Sequence, residues 1–361
     1  MPKTWVALIV VLSVLTAHVR GAVGDGFVPW RECLRQRPQW YGGPEARRIA
    51  DNLLLYQRVG GGWPKNTEMA AVLTDPQKAE IVADKNRIDS TMDNSATCPQ
   101  MRYLARVHNA TNDVGYRDAF MQGLDYLLAA QYGNGGWPQF YPLRSGYYSH
   151  ITFNDGAMIN VMTLLAEVRD GLPDFVFVDA DRRAACARAV EKGVACILKC
   201  QIVVDGKRLA WCAQHDENTL KPTSARSYEL ATLSGAESVG VVRFLMAVEK
   251  PTPEIIAAIN GAVQWFEQVK ITGIREVRRP APGTERGYDK VIVADPDAPP
   301  LWARFYEIGT NRPIFCSRDG IPRYDISEIS YERRNGYAWY VNLPADLLAK
   351  DYPAWSRQLA E

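Results

Sequence analysis

Apolar residues recur with helical spacing in four segments of the chain, and each segment runs into a glutamine. These glutamines are Gln57, Gln131, Gln201 and Gln268, which lie about 70 residues apart. Glycines and a tryptophan follow the first three, as in QRVGGGW and QYGNGGW, and a second apolar helical pattern then covers residues 96–107, 157–168 and 236–249. The repeating unit is therefore predicted to be a helix, a glycine-bearing loop and a second helix.

One helical hairpin of this kind cannot bury its apolar face alone, but stacked hairpins bury one another. We therefore predict an all-α fold, an α/α barrel-like toroid of repeated helical hairpins with long loops and a few short β-strands. Short strand hairpins are expected in the Pro- and Gly-rich stretch 277–322. Residues 23–361 are predicted to form one domain. In the second of these loops, Gln131 is expected to bind backbone groups at a helix end, and Trp137 to anchor the turn on the core.

This topology predicts where the unusual loop residues meet. In an α/α barrel every loop from a first helix to a second helix emerges at the same rim, so residues far apart in sequence converge there. The loops carry polar residues that are unusual for their surroundings: Lys65, Asp93, Asn94, Asp155 and Arg226, with Arg312 after the fourth glutamine. A single cleft at this rim is the predicted functional site.

Composition and charge narrow the class of partner and the compartment. The chain has 361 residues, 47% of them apolar, and a net charge of +1, which disfavours a general nucleic-acid binder. Lys3, the apolar run 5–17 and small residues at 21 and 22 have the layout of a signal peptide over residues 1–22. We expect a secreted or periplasmic monomer that keeps no membrane segment. Seven cysteines without a CxxC pair disfavour a zinc site and leave at least one free thiol.

Two loop carboxylates, Asp93 and Asp155, are compatible with three roles. As an acid and base pair they would suit glycoside hydrolysis. As hard oxygen ligands, joined by the Asn94 carbonyl, they would suit Ca²⁺. Alternatively, each one caps the helix that follows it. The residues alone leave these alternatives open.

Cationic residues in the later loops favour an acidic substrate. KPTSARSYE supplies Lys221 and Arg226, and GTNRPIF supplies Arg312. Guanidinium groups bind carboxylates through paired hydrogen bonds, so these side chains suit a uronic-acid polymer better than a neutral sugar. The alternative is that they are surface residues among many. His215, which stands beside two acids, is expected to be a packed, hydrogen-bonded residue and not a metal ligand.

Six long motifs follow one another along the chain: GGWPKN, MDNSAT, GGWPQFYPL, HITFNDGAM, WCAQHDENTLKPTSARSYELATLSG and GTNRPIFCSRDG. Together they resemble polysaccharide lyase family 10, the pectate lyases, and the resemblance extends from about residue 47 to residue 355. It implies the family's α/α toroid and the cleavage of polygalacturonate by Ca²⁺-dependent anti-β-elimination.

The resemblance also implies a role for each rim residue. Asp93 and Asp155 match aspartates that bind Ca²⁺, and Arg226 matches the base that removes the C5 proton of galacturonate. Because Ca²⁺ and cationic neighbours disfavour another positive charge, they are expected to depress the pKa of Arg226, and the activity is expected to be greatest at alkaline pH. Substrate binding is assigned to four residues: Lys65, Asn94, Lys221 and Arg312.

Three other functions are compatible with parts of this pattern. The first is a glycoside hydrolase on the same fold, with Asp93 and Asp155 as acid and base. The second is a triterpene cyclase, because both QRVGGGW and QYGNGGW satisfy the Q-x3-G-x-W repeat of that class, although the chain has no DxDD motif. The third is a pectin-binding module without catalytic activity.

Overall fold

The structure, a computed structural model, describes residues 27–360, so the predicted signal peptide over residues 1–22 lies outside it. Helices account for most of its regular structure, which confirms the predicted fold class. They are α1 (Trp30–Cys33), α2 (Pro44–Tyr56), α3 (Asp75–Ala83), α4 (Cys98–Thr111), α5 (Val114–Ala129), α6 (Ala157–Arg169), α7 (Ala180–Cys200), α8 (Glu237–Met246), α9 (Pro253–Gln268), α10 (Tyr331–Gly336), α11 (Leu343–Asp346) and α12 (Tyr352–Ala360). No helix in this range is both long and apolar enough to cross a bilayer.

Seven of these helices form two rows. Helices α2, α5, α7 and α9, which run into the glutamine loops, form the outer row, and α4, α6 and α8 form the inner row. Each inner helix packs against the outer helix that follows it in sequence, and neighbouring helices also pack along each row. The inner helix α6 is buried on most sides, which explains its nearly continuous apolar sequence. Within residues 27–360 the rows form an open toroid and not a closed barrel.

Capping residues set the start of several outer helices. The side chains of Asp113 and Asp179 accept hydrogen bonds from backbone amides in the first turns of α5 and α7. Thr252 does the same for α9, and Pro253 occupies its first position. These are the residue types that satisfy the free amides of a helix N-terminus. The local sequence therefore determines the first residue of these three outer helices.

The glutamine of each of the first three repeats links two repeats. Nε2 of Gln131 donates to the carbonyl of Gly135 in its own loop, at 3.0 Å, and to the carbonyl of Ala189 in the next outer helix, at 2.9 Å. Gln57 and Gln201 make the equivalent pairs of bonds. Gln131 thus binds backbone groups, as predicted, but these groups belong to its own loop and to the middle of the next outer helix, so the glutamine joins adjacent outer helices.

The repeat tryptophans close the ends of the outer helices. Nε1 of Trp137 donates to the carbonyl of Leu127 at 2.8 Å, in the last turn of α5, where carbonyls lack partners within the helix. Trp63 and Trp211 make the same bond to α2 and α7. All three indole rings are fully buried, so the predicted anchoring role is confirmed.

The fourth repeat departs from the predicted pattern. Gln268 is exposed, and its side chain makes no hydrogen bond within residues 27–360. The tryptophan position is instead taken by Trp302, whose Nε1 donates to the carbonyl of Phe266 at 2.8 Å, near the end of α9. The spacing of glutamines therefore located the fourth outer helix correctly, but Gln268 does not share the bonding role of the other three.

Gly61 and Gly135 show why glycines stand beside the repeat tryptophans. Both have φ of +96°, and a Cβ atom would lie 2.3 Å from the Gln122 oxygen at Gly61 and 2.1 Å from the Lys192 oxygen at Gly135. Only glycine permits both the backbone conformation and so close an approach. The two loops are therefore pressed against the next outer helix.

Strands are short and pair in antiparallel twos. They are β1 (Ile151–Thr152), β2 (Val203–Val204), β3 (Lys207–Arg208), β4 (Gln214–His215), β5 (Leu233–Ser234), β6 (Ile274–Pro280), β7 (Tyr288–Ala294), β8 (Trp302–Ala303), β9 (Phe305–Tyr306), β10 (Phe315–Cys316), β11 (Pro322–Arg323) and β12 (Tyr340–Val341). The pairs are β1–β4, β2–β3, β5–β9, β6–β7, β8–β12 and β10–β11. The hairpin β6–β7, in which Ile274 lies opposite Ala294, confirms the expected strands in the Pro- and Gly-rich stretch.

Hydrogen bonds run from each rim loop to the next. The first loop meets the second through an isolated bridge between Thr91 and Phe140. The second meets the third through β1 and β4, and the third meets the fourth through β5 and β9. The four loops therefore lie side by side at one end of the toroid, which confirms the predicted convergence.

The hydrophobic core follows the two rows. Its main cluster extends from Cys33 to Trp355 and contains the repeat tryptophans. A smaller cluster around Tyr228, Phe305 and Trp339 supports the segments that follow the third and fourth loops. All seven cysteines lie in the described range, and all are buried free thiols.

Candidate active site

Lys65 and Asp93 meet where the two halves of the first loop face each other. Nζ of Lys65 forms an ion pair with Oδ2 of Asp93. Asp93 is only 3% exposed, and its Oδ1 has no hydrogen-bond partner among the described residues. Leaving a buried carboxylate oxygen without a partner is costly. This oxygen is therefore available for a ligand.

Asp155 stands just before α6, at the end of the second loop. Its carboxylate accepts a hydrogen bond from Asn154 Nδ2 at 2.8 Å and lies 3.5 Å from Nη2 of Arg304. Burial raises the pKa of Asp155, and the charges of Glu237 and Asp93 raise it further, so that the pKa stays above its usual range despite Arg304. A cation placed between the acids would relieve this repulsion.

Neither aspartate caps a helix. The N-caps of α4 and α6 are Thr97 and Gly156, and neither the Asp93 nor the Asp155 side chain accepts a hydrogen bond from the backbone amides that follow it. The capping alternative is therefore wrong for both. Asp155 has φ of +51° and Asn94 has φ of +48°, a left-handed conformation that is uncommon outside glycine. Such strained backbone concentrates at functional sites.

A buried ion pair between Glu237 and Arg304 lies behind Asp155, and sequence analysis missed it. Nη2 of Arg304 contacts Glu237 and lies 3.4 Å from Oδ1 of Asn154. Glu237 begins the third inner helix, much as Asp93 and Asp155 precede the first two, and Arg304 stands two residues after Trp302. The recurrence of an acid at the same place in three repeats is the feature of the sequence that points to Glu237.

Arg226 and Glu229 form a two-pronged ion pair in the third loop. Nε of Arg226 donates to Oε2 of Glu229 at 2.7 Å, and Nη2 donates to Oε1. The Tyr337 hydroxyl also donates to Oε1, at 2.7 Å, and the guanidinium carbon lies 5.0 Å from the centre of the Tyr228 ring. The side chain of Arg226 is 41% exposed and that of Glu229 is 7% exposed. The acid is thus buried, while its arginine partner remains accessible.

This pairing stabilises both charges. Partial burial lowers the pKa of Arg226, but its hydrogen bonds to Glu229 and the charge of that carboxylate raise the pKa above the ordinary arginine value. This increase in the pKa of Arg226 is opposite to the decrease that was expected from bound Ca²⁺ and cationic neighbours. Burial raises the pKa of Glu229, but Arg226 and the Tyr337 hydroxyl bring it below its usual range. The nearest charge to the guanidinium is therefore an ionised acid.

The arginine pair and the aspartates share one environment. The charge of Arg226 contributes to the pKa of Asp155, and a small cavity separates Asn154 from Glu229. The guanidinium carbon of Arg304 lies 4.9 Å from the centre of the Tyr337 ring, so that tyrosine contacts both networks. The structure thus brings the two aspartates and Arg226 together at one rim, as the repeat predicted.

Three other predicted site residues, among those the structure describes, are not hydrogen-bonded or ion-paired to this group. Asn94 is exposed, and its Nδ2 donates to a neighbouring asparagine side chain at 3.1 Å. Lys221 is also exposed, and the guanidinium carbon of Arg312 lies 3.5 Å from the centre of the Tyr324 ring. Within residues 27–360, none of the three side chains forms a hydrogen bond or ion pair with either aspartate or with Arg226.

His215 is a buried structural residue, as expected. Its Nε2 accepts a hydrogen bond from the Cys212 amide at 3.1 Å, and its Nδ1 lies 2.9 Å from the carbonyl of Leu220. A neutral ring with the proton on Nδ1 satisfies both partners. Burial lowers the pKa of His215 to about 4. The ring thereby braces the segment that leads to Arg226.

The pH dependence of folding stability should reveal His215. Because its pKa of about 4 in the folded protein lies below the ordinary histidine value of 6.5, the unfolded chain binds this proton first as the pH falls. The stability it contributes is present above pH 6.5 and is lost as the pH falls towards 4, a loss of about 3 kcal/mol. In urea titrations at neutral pH and at about pH 4, His215→Gln should lose about 3 kcal/mol less unfolding free energy than the wild type. Equal losses in the two proteins would contradict this assignment.

Comparison with known proteins agrees with the fold. A sequence profile of the family described as pectic acid lyase matches residues 57–348, a segment that contains every residue of the site. The fold and this match define the class of the protein as a polysaccharide lyase. Two solved structures are similar, both of a family 10 polysaccharide lyase from Cellvibrio cellulosa. The chain belongs to the pectic acid lyase family, family 10 of the polysaccharide lyases.

The two solved structures resemble this chain over most of their length. One is a mutant in complex with trigalacturonic acid; it is 33% identical, has a TM-score of 0.76, and the match covers 90% of this chain and 95% of that chain. The other is 34% identical, with a TM-score of 0.75 and coverage of 88% and 95%. No curated protein sequence matches the chain. The assignment to this family removes the glycoside hydrolase and triterpene cyclase alternatives.

Proposed function

We propose that the protein is a pectate lyase that cleaves α-1,4-linked polygalacturonate by Ca²⁺-dependent anti-β-elimination. The observation that carries the proposal is the placement of two carboxylates, Asp93 and Asp155, in one environment with the accessible guanidinium of Arg226. The family match supports a pectic substrate, and the relative's complex with trigalacturonic acid supports an oligogalacturonate ligand.

The donor set at Asp93 and Asp155 fits a calcium ion. Oδ1 of Asp93 is buried and has no hydrogen-bond partner among the described residues. Burial raises the pKa of Asp155, and the negative charges of Glu237 and Asp93 add to this increase. Residues 27–360 hold no group of three or more His, Cys, Asp or Glu side chains suited to a metal, so water, backbone or a substrate carboxylate would complete the oxygen ligands. When bound, the ion would draw negative charge from the substrate carboxylate and so acidify the C5 hydrogen.

Arg226 is proposed as the base that removes the C5 proton. In its neutral form it takes this proton, the C5–H electron pair forms the C4=C5 double bond, and the C4–O4 bond breaks. An arginine normally loses its proton only at strongly alkaline pH, and Glu229 raises the pKa of Arg226 further. The neutral form therefore becomes more populated as the pH rises, and the rate should rise towards alkaline pH.

The remaining rim residues are proposed to hold the substrate. The guanidinium carbon of Arg312 lies 3.5 Å from the centre of the Tyr324 ring, whose hydroxyl donates to Glu307 at 2.7 Å. The guanidinium N–H groups are proposed to bind a carboxylate through two hydrogen bonds. Lys65 forms an ion pair with Asp93. Its ammonium group is proposed to bind a galacturonate carboxylate beside that aspartate. Further contacts to galacturonate carboxylates and hydroxyls are assigned to Asn94 and Lys221.

Polygalacturonate cleavage should produce a 4,5-unsaturated uronide that absorbs in the ultraviolet. We expect absorbance to rise with time when wild-type protein and Ca²⁺ are present, and EDTA to lower the rate by about two orders of magnitude. Added Ca²⁺ should restore it. New reducing ends without absorbance would contradict elimination, and binding without any product would indicate a pectin-binding module.

A further inference from the structure

We infer that Glu229 is a positioning residue for Arg226, directing the proton-accepting side of the guanidine towards the rim. The inference rests on the proposed lyase activity and names a residue through which that activity is controlled. Oε2 of Glu229 accepts hydrogen bonds from Nε of Arg226 at 2.7 Å and from its backbone amide at 3.3 Å, while Oε1 accepts one from Nη2. Among the described residues, Nη1 has no hydrogen-bond partner.

The hydrogens of a neutral guanidine explain why this geometry matters. Removing the proton from Nε would break one of the two bonds to Glu229, because that nitrogen would then have no hydrogen to donate. Removing a proton from the outer side of the group keeps both bonds. Glu229 therefore favours the neutral forms whose lone pair points away from it, with Nη1 as the nitrogen that it leaves entirely free.

Glu229 also stabilises the charge that the reaction creates. When Arg226 takes the C5 proton, an N–H bond forms as the C5–H bond breaks, the C–H electrons become the C4=C5 bond, and O4 leaves and takes a proton from water. The neutral guanidine thus becomes a guanidinium beside an ionised carboxylate. An aspartate acts in the same way when it fixes the tautomer of a catalytic histidine and stabilises the imidazolium.

The surroundings single out Glu229 among the groups near Arg226. It is 6% exposed, and the Tyr337 hydroxyl holds Oε1 in place. Within residues 27–360, it is the one charged side chain that is hydrogen-bonded to Arg226. The titratable and charged groups that face the guanidinium are Tyr147, Asp155, Tyr228, Glu229, Arg318 and Tyr337.

The test compares the pH dependence of kcat in wild type, Glu229→Gln and Glu229→Asp, measured by ultraviolet absorbance. Glutamine removes the charge and one acceptor, so the limiting kcat at alkaline pH should fall about 100-fold. The pH at which kcat is half-maximal should also fall, by about one unit or more. KM should change by less than about threefold. Aspartate keeps the charge but shortens the reach, so Glu229→Asp should have a lower kcat and an unshifted midpoint.

A matched control exists in the outer row. Glu45 forms the same two-pronged pair with Arg48, at 2.8 and 2.7 Å, in α2. Glu45→Gln should therefore keep the wild-type kcat and pH profile. A role of Glu229 in folding alone would lower the amount of active protein without moving the pH midpoint, and that result in Glu229→Gln would overturn the inference.

The remaining outcomes also decide the question. If Glu229→Gln does not fold, Glu229→Asp decides, because a wild-type kcat in that variant would overturn the positioning role. Failure of the proposed function is recognised separately. A wild-type protein that yields no unsaturated product overturns the lyase activity itself, whereas product formation that is identical in wild type and Glu229→Gln overturns only the role of Glu229.

Discussion

Replacing Arg226 with alanine is expected to lower kcat on polygalacturonate by about 10³-fold, because a positioned general base contributes about 10²–10⁴ to the rate. The affinity for trigalacturonate should fall much less, since the aspartates and the other cationic rim residues remain. Ultraviolet rates over a neutral to alkaline pH range and calorimetric titration with trigalacturonate measure the two effects. Wild-type turnover in Arg226→Ala would leave the assignment of the base without support.

One further variant, with a matched control, separates the chemistry of Arg226 from its charge. Arg226→Lys keeps a positive charge but offers a compact ammonium in place of a planar fork, so it cannot reproduce the paired bonds to Glu229. We expect it to recover less than about a tenth of the wild-type kcat. Arg182→Ala serves as the control, because Arg182 of α7 forms its ion pairs away from the site, with Asp125 of α5 and with Asp179, the N-cap of α7. This control should leave kcat unchanged.

Trp137→Ala is expected to lower the free energy of unfolding by about 3–5 kcal/mol, the range observed when a buried aromatic side chain is deleted. The indole is fully buried and packs beside Gly193 of α7, so its removal leaves a cavity between two repeats. It also frees the Leu127 carbonyl that Nε1 now binds. Urea unfolding followed by circular dichroism measures the change, provided that the transition is two-state.

Two comparisons locate the source of this destabilisation. Trp137→Phe keeps most of the apolar contact but loses the hydrogen bond, so its cost should be smaller, at about 1–3 kcal/mol. Val176→Ala changes an exposed side chain between α6 and α7 and should stay within about 0.5 kcal/mol of wild type. A loss below 1 kcal/mol in Trp137→Ala would contradict the anchoring role.

The fold was predictable because its main signals are local and repeated. Helical spacing identified both helices of each hairpin, although the predicted helix 96–107 is observed as Cys98–Thr111. The glutamines and tryptophans marked the loop between them, and stacking of the repeats implied convergence at one rim. In the fourth repeat, Gln268 does not make the bonds of the other three glutamines. Trp302, which binds the end of α9, stands 34 residues after Gln268 and so lies outside the spacing of the repeat.

The candidate site was predictable only in part. Asp93, Asp155 and Arg226 were found because they interrupt loops that are otherwise structural, and because their motifs resemble a family. Glu229 escaped notice because an acid three residues after an arginine looks like an ordinary surface pair. Arg304 was missed because its partner Glu237 lies 67 residues away in sequence, and only folding brings them together.

The hydrogen bonds between neighbouring rim loops have a consequence for motion. Surface loops usually open one at a time, at little cost in free energy. Here the first loop is tied to the second, the second to the third and the third to the fourth, so opening one of them breaks backbone bonds in its neighbour. Backbone amides along this rim are therefore expected to exchange with solvent deuterium slowly and at similar rates. The loops that carry the residues proposed for catalysis are thus expected to open together, as one cooperative unit.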